Sequence, residues 1–140
     1  MFPDGALPAS AVPPREMSGL QLAFIGDCVY ELLVRGYVLS VDSGGVRRLH
    51  RRAVEYANAA FQARAADALQ PLLTETELAV YRRGRNSHTT HTPKNKSEAQ
   101  YHKATGFESL FGYLYLTGAH DRLKTLFDAV SALATEDEQP

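Results

Sequence analysis

Two carboxylates stand out because each interrupts an apolar stretch. Asp27 lies within Leu22-Ala23-Phe24-Ile25-Gly26-Asp27-Cys28-Val29-Tyr30, and Glu108 within Phe107-Glu108-Ser109-Leu110-Phe111-Gly112-Tyr113-Leu114. Burying a carboxylate alone costs several kcal/mol, so in such surroundings it is paired, hydrogen-bonded or bound to a metal. Each segment also holds a glycine, Gly26 in the first and Gly112 in the second, with Gly106 just ahead of the latter. Glycine inside a helix costs ~1 kcal/mol against alanine. One compensation is close helix–helix approach, which would bring Asp27 and Glu108 together. Two converging carboxylates with no lysine between them suit a hard divalent cation such as Mg²⁺. A second reading fits the same residues: each carboxylate on the solvated edge of an amphipathic helix. Glu31, four residues after Asp27, is open in the same way, as a further ligand or as the partner of Arg35 in an i,i+4 ion pair.

The other residues with chemistry are basic. Tyr81-Arg82-Arg83-Gly84-Arg85-Asn86 leads through a polar run to Pro93-Lys94-Asn95-Lys96. Arginine meets phosphate bidentately, and a glycine lets the backbone come close. Arg82, Arg83, Arg85, Asn86, Lys94, Asn95 and Lys96 are therefore candidate contacts to a nucleic-acid backbone. Arg47, Arg48 and Arg51, from Arg47-Arg48-Leu49-His50-Arg51-Arg52, are weaker candidates for the same task. The alternative is a solvated charged face. The formal net charge is −1, yet residues 47–103 hold 11 of the 15 Lys and Arg and only 5 of the 16 Asp and Glu. A basic middle in an otherwise acidic chain points to a polyanionic partner. His88 and His91 read as polar loop residues, or at most as neighbours of a phosphate. The single cysteine, Cys28, excludes an internal disulfide and a cysteine-based zinc site.

These residues need elements to position them. At 140 residues, 44% hydrophobic and 22% charged, the chain has the composition of one globular domain. No convincing strand alternation occurs, and apolar residues recur every three or four positions. Ser18 with Gln21 has capping-box spacing and opens a helix in which Leu20, Phe24, Val29, Leu32 and Leu33 recur, stopped by Ser43-Gly44-Gly45. An Ala-rich helix is expected from Val46 to about Leu69, with Leu49, Ala53, Ala57, Ala60, Phe61 and Ala68 on one broad face. Thr74 with Glu77 opens a short helix through Leu78 and Tyr81. Residues 84–96 contain no aliphatic residue, and a loop that long is usually functional or disordered. A fourth helix starts at Ser97 with Gln100, carries Ala104, Phe107, Leu110, Phe111 and Leu114, and stops near Gly118. A fifth spans about Asp121 to Ala134. The expected fold is all-α with about five helices or more: an irregular arm over 1–16, a helical domain over 17–134 and an acidic tail over 135–140. The start, Met1-Phe2-Pro3-Asp4, lacks the features of a signal peptide, and no apolar run approaches the ~20 residues of a membrane span. A cytoplasmic protein with no membrane partner is expected.

Taken in order, Leu22 to Glu31, Arg83-Gly84-Arg85-Asn86, Thr92-Pro93-Lys94-Asn95 and Phe107 to Leu114 resemble the ribonuclease III catalytic domain, in its Mini-ribonuclease III branch. The resemblance covers roughly residues 17–134. It implies an all-helical endonuclease bundle that dimerises and cuts double-stranded RNA with Mg²⁺. Asp27 matches the aspartate of the family's signature stretch, and Glu108 the metal-binding glutamate of the later helix. The chain departs from full-length ribonuclease III where two signature glutamates fall on Leu20 and Ala23, and where an aspartate falls on Thr105. The Mini branch shares such losses.

No double-stranded RNA-binding domain is expected after the last helix, so affinity is expected from the basic middle, counted twice in a homodimer. The branch implies maturation of the paired 5′ and 3′ ends of precursor 23S ribosomal RNA, with a large-subunit ribosomal protein as a possible helper. The alternative is a non-catalytic double-stranded RNA-binding module of the same fold.

Overall fold

A computed structural model describes residues 7–87 and 97–138. Among the described residues there are six α-helices and no strand: α1 (Gly19–Val41), α2 (Val46–Tyr56), α3 (Ala59–Leu69), α4 (Glu75–Arg85), α5 (Glu98–Leu116) and α6 (His120–Glu138). Short 3₁₀ turns precede α1 and follow α3. Among the described residues no helix is long and apolar enough to cross a membrane.

Both capping boxes form. The Ser18 hydroxyl accepts from the Gln21 N–H at 3.1 Å while the Ser18 N–H donates to Gln21 Oε1 at 2.9 Å, and Thr74 and Glu77 repeat the pattern at α4. The long Ala-rich helix expected over 46–69 is instead two. Asn58 breaks it: its side-chain oxygen accepts from the Phe61 N–H at 2.9 Å, capping α3, while its amide donates to the Val54 and Glu55 carbonyls that end α2. The break turns the inward face. Ala57, Ala60 and Ala68 are exposed, and Tyr56, Phe61, Ala65, Ala66 and Leu69 are buried in their place. Helix α6 continues four residues beyond Ala134.

Helix α5 forms the centre, with α1, α3 and α4 packed around it. Phe107, Leu110, Phe111 and Leu114 are all buried, as their spacing predicts. Tyr30 of α1 meets Phe107 edge-on, with ring centroids 4.8 Å apart, and its hydroxyl donates to the Tyr56 carbonyl at 2.7 Å, tying the end of α2 to the same core. The α1 core face is Leu22, Ala23, Gly26, Val29, Tyr30, Val34 and Val38. Leu20, Phe24 and Leu32, part of the recurrent apolar set in the sequence, face outward, and Phe24 is 83% exposed.

The α1–α5 crossing is a main-chain contact. A Cβ at Gly26 would overlap the Glu108 carbonyl, and one at Gly112 would overlap the Leu22 carbonyl. Backbone cannot swing aside as a flexible side chain can, so overpacking here falls at the severe end of its usual range. Gly26→Ala is expected to lower stability by about 3 kcal/mol and to reduce any activity of the neighbouring carboxylates; urea unfolding and an assay of the folded fraction measure both.

Candidate active site

Asp27 and Glu108 flank this crossing, one residue after Gly26 and on the residue whose carbonyl Gly26 faces. The glycines allow the two helix backbones to touch, and the adjacent carboxyl groups meet. Asp27 is exposed and Glu108 half-buried. Burial pushes the Glu108 carboxyl up to about 8, and contact with the Asp27 carboxylate, through a shared proton and through charge, adds to the rise. Two carboxyl groups at hydrogen-bond range cannot both ionise cheaply without a cation between them. The side-chain amide of Gln62, on α3, donates to Glu108 and partly offsets the rise.

The pair offers hard oxygen donors, converging and half exposed, with a charge conflict that a divalent cation relieves. That donor chemistry fits Mg²⁺, which keeps several waters and uses one or two protein carboxylates. Among the described residues, no three His, Cys, Asp or Glu side chains cluster as a ligand set. Glu31 takes the ion-pair alternative, 3.0 Å from Arg35. At the positions where the resemblance places acids in full-length ribonuclease III, Leu20 is exposed, Ala23 is packed, and the Thr105 hydroxyl donates to the Tyr101 carbonyl at 3.1 Å.

The basic candidates separate into groups. Arg82, Arg83 and Arg85 occupy the last turn of α4, where cations favour the helix dipole, and Asn86 is its C-cap. Arg82 is exposed. Arg85 lies 5.7 Å over the Tyr81 ring. Arg83 is turned to structure: Nη1 donates to the Met17 carbonyl at 2.7 Å and the Arg15 carbonyl at 3.3 Å, anchoring the segment that leads into α1. Gly84, read from sequence as room for a phosphate, is buried against Ser109 and Gly106 of α5. Its lack of a side chain serves α4–α5 packing.

On α2, Arg48 donates to Asp42 at 2.8 Å and Arg52 stands 3.5 Å from it, while Arg47 and Arg51 are exposed. Asp42 also accepts from the Gly44 N–H at 2.8 Å, and that bond, ahead of the two arginines, holds its carboxyl below the usual range. Asp42 ends α1, fifteen residues or ~22 Å along the helix from Asp27, so the α2 cluster begins well away from the carboxylate pair. Lys94, Asn95 and Lys96, with His88 and His91, lie outside the described residues. Gln62 was missed from sequence. The signal was present, since it is a lone amide among the apolar inward residues of α3.

The Glu108 shift has a testable sign. Below pH 4.5 the carboxyl is protonated in folded and unfolded chains alike, so its favourable neutral state is fully present. Between 4.5 and about 8 the unfolded chain gives up the proton while the folded chain keeps it, so stability falls as pH rises. Glutamine mimics the protonated acid. In EDTA, the melting temperature of Glu108→Gln is expected to exceed that of wild type increasingly from pH 5 to 8, as followed by circular dichroism. A constant difference across that range would contradict the assignment.

The sequence model of the ribonuclease III domain matches residues 20–119. The chain is 42% identical over 125 residues to Mini-ribonuclease 3 of Desulfitobacterium hafniense, covering 89% of this chain and 79% of that protein. It is 42% identical over 118 residues to Mini-ribonuclease 3 of Symbiobacterium thermophilum, covering 84% and 91%. Its fold is similar to the X-ray crystal structure of a protein from Fusobacterium nucleatum, with a TM-score of 0.77, 28% identity and coverage of 86% of this chain and 98% of that one.

Proposed function

Because the chain belongs to the ribonuclease III family and is an endoribonuclease of that type, we propose that it matures the paired ends of precursor 23S ribosomal RNA, as a cytoplasmic homodimer that uses Mg²⁺ held by Asp27 and Glu108. The observation that carries the site assignment is the convergence of these two carboxyls at a glycine crossing. The Mini-ribonuclease 3 relatives support a double-stranded RNA substrate.

When bound, Mg²⁺ supplies Lewis-acid activation of water and neutralises charge at the scissile phosphate. The chain's own residues do the rest. Asp27 and Glu108 hold the ion, and the Gly26 and Gly112 contacts fix where they stand. Arg82, Arg85 and Asn86, at the end of α4, would meet backbone phosphates, with Lys94, Asn95 and Lys96 following in the chain. Arg83 is a weaker candidate because it is engaged with the Arg15 and Met17 carbonyls. Arg47, Arg48 and Arg51 would extend the contact, Arg48 least because of Asp42. A large-subunit ribosomal protein that shapes the RNA would act as a helper.

The homodimer is supported by the outward stripe of α1. Leu20, Phe24, Cys28 and Leu32 recur every four residues and are all exposed. Beside Phe24 lies an apolar groove of about 510 Å³ that also takes in Val12, Met17, Ile25 and Leu116. A two-fold pairing on this stripe would cover Phe24 and set the two carboxylate pairs on either side of one interface. Phe24→Glu is expected to give a monomer by analytical ultracentrifugation where wild type sediments as a dimer; a dimer retained in Phe24→Glu would place the interface elsewhere.

The activity is tested by incubating an end-labelled RNA duplex and a precursor 23S stem with wild type and Asp27→Asn, in Mg²⁺ or EDTA. Cutting is expected only for wild type with Mg²⁺, at the base of the stem, with at least a hundredfold loss in Asp27→Asn, on the order of removing a metal ligand. Equal cutting by Asp27→Asn would overturn the site, and cutting of the duplex but not the stem would overturn the substrate.

A further inference from the structure

Residues 7–17 run ahead of α1 and hold three prolines, Pro8, Pro13 and Pro14, which have no N–H to donate. Within this lead-in one turn is closed by its own bonds: the Glu16 N–H donates to the Pro13 carbonyl at 2.9 Å and the Met17 N–H to the Pro14 carbonyl at 3.2 Å. Arg83 ties that turn to α4, with Nη1 donating to the Met17 carbonyl at 2.7 Å and to the Arg15 carbonyl at 3.3 Å. A second fixed point follows. A Cβ on Gly19 would meet the Gly84 Cα at 2.6 Å and the Arg83 carbonyl at 2.8 Å, so the start of α1 lies directly on the α4 backbone. What is held in this way is apolar and uncovered. Ala11, Val12 and Met17 line the groove beside Phe24 together with Leu20, and Ala11, Val12, Leu20 and Phe24 are all exposed.

We infer that Arg83 is a positioning residue for the homodimer: by clamping the turn over 13–17 it holds the lead-in as a formed wall, and a second copy of the chain packs its own α1 stripe against that wall. This rests on the reading of the α1 stripe as the homodimer face. Continuity identifies the occupant, because the wall adjoins Leu20 and Phe24, the first two members of that stripe. A wall already in place spares the dimer the ordering of the segment on association, which is how pre-organisation raises affinity. The Arg83 Nη1 group, engaged with two main-chain carbonyls, is withdrawn from the fork that grips a phosphate.

The test uses the full chain. Sedimentation over a dilution series gives the dimer dissociation constant, and duplex binding is titrated against salt in EDTA, at concentrations where each variant is dimeric. Arg83→Met keeps the stem and removes the donors. It is expected to weaken the dimer roughly tenfold and to leave the slope of log affinity against log salt unchanged. Val12→Asp, at an exposed position, is expected to weaken the dimer at wild-type melting temperature, and to cost less when added to Arg83→Met than it does alone. An unchanged dimer constant in Arg83→Met overturns the inference, as do fully independent losses in the double variant. A slope shallower by about one with an intact dimer puts Arg83 on a phosphate and overturns it as well. Should Arg83→Met not fold, Val12→Asp decides, since wild-type dimer affinity there removes the lead-in from the interface. Phe24→Glu, run alongside, separates the two failures. If it is monomeric while Arg83→Met and Val12→Asp associate as wild type, only the Arg83 inference falls; if it remains a dimer, the α1 face falls too.

Discussion

Where α1 crosses α5, main chain touches main chain. Gly26 faces the Glu108 carbonyl and Gly112 faces the Leu22 carbonyl, with only hydrogens between. Two glycines in helix interiors are costly in chain entropy, and the return is an approach that no side chain would permit. The carboxyl groups next to the contact therefore owe their separation chiefly to backbone position. That is how a pair of side chains is held to a tight tolerance. The core is built on the same stretch of α5. Phe107, Leu110 and Phe111 turn inward around Tyr30, while Ser109 is completely buried with its hydroxyl 2.7 Å from the Gly19 carbonyl and 2.8 Å from the Thr105 carbonyl. Glu108, between Phe107 and Ser109, projects to the site.

The electrostatics follow from that crossing. Two carboxyls brought together cannot both ionise cheaply, and Glu108 is held well above the usual carboxylate range by its burial and by Asp27. The arginines are divided between structure and surface. Arg83 is spent on the lead-in to α1 and Arg48 on the α1–α2 turn, while Arg47, Arg51 and Arg82 are exposed. A run of basic residues in sequence thus overstates the charge available to a phosphate backbone.

Several features were legible before any coordinates. The carboxylates were conspicuous because an acid in an apolar helix beside a glycine has few explanations. The Ser18 and Thr74 capping boxes announced two helix starts, and both form. The misreadings have physical causes. Alanine favours a helix so strongly that the run over 46–69 masked the Asn58 cap, which acts through two main-chain carbonyls and one N–H. Periodicity marked Leu20 and Phe24 as recurrent apolar positions, but it does not tell a face buried in the chain's own core from one left for a second copy. Gly84 looked like a phosphate-facing glycine because sequence does not show which neighbour comes close.

In the proposed site, Asp27 and Glu108 bind a cation that displaces their resident proton. Calorimetric titration of Mn²⁺ into the metal-free protein at pH 7, in two buffers of different ionisation enthalpy, reports both events at once. Because Glu108 is held up to about 8, binding should release about one proton, and both binding and release should be lost in Asp27→Asn. Mn²⁺ binding without proton release, or binding that survives unchanged in Asp27→Asn, would contradict it.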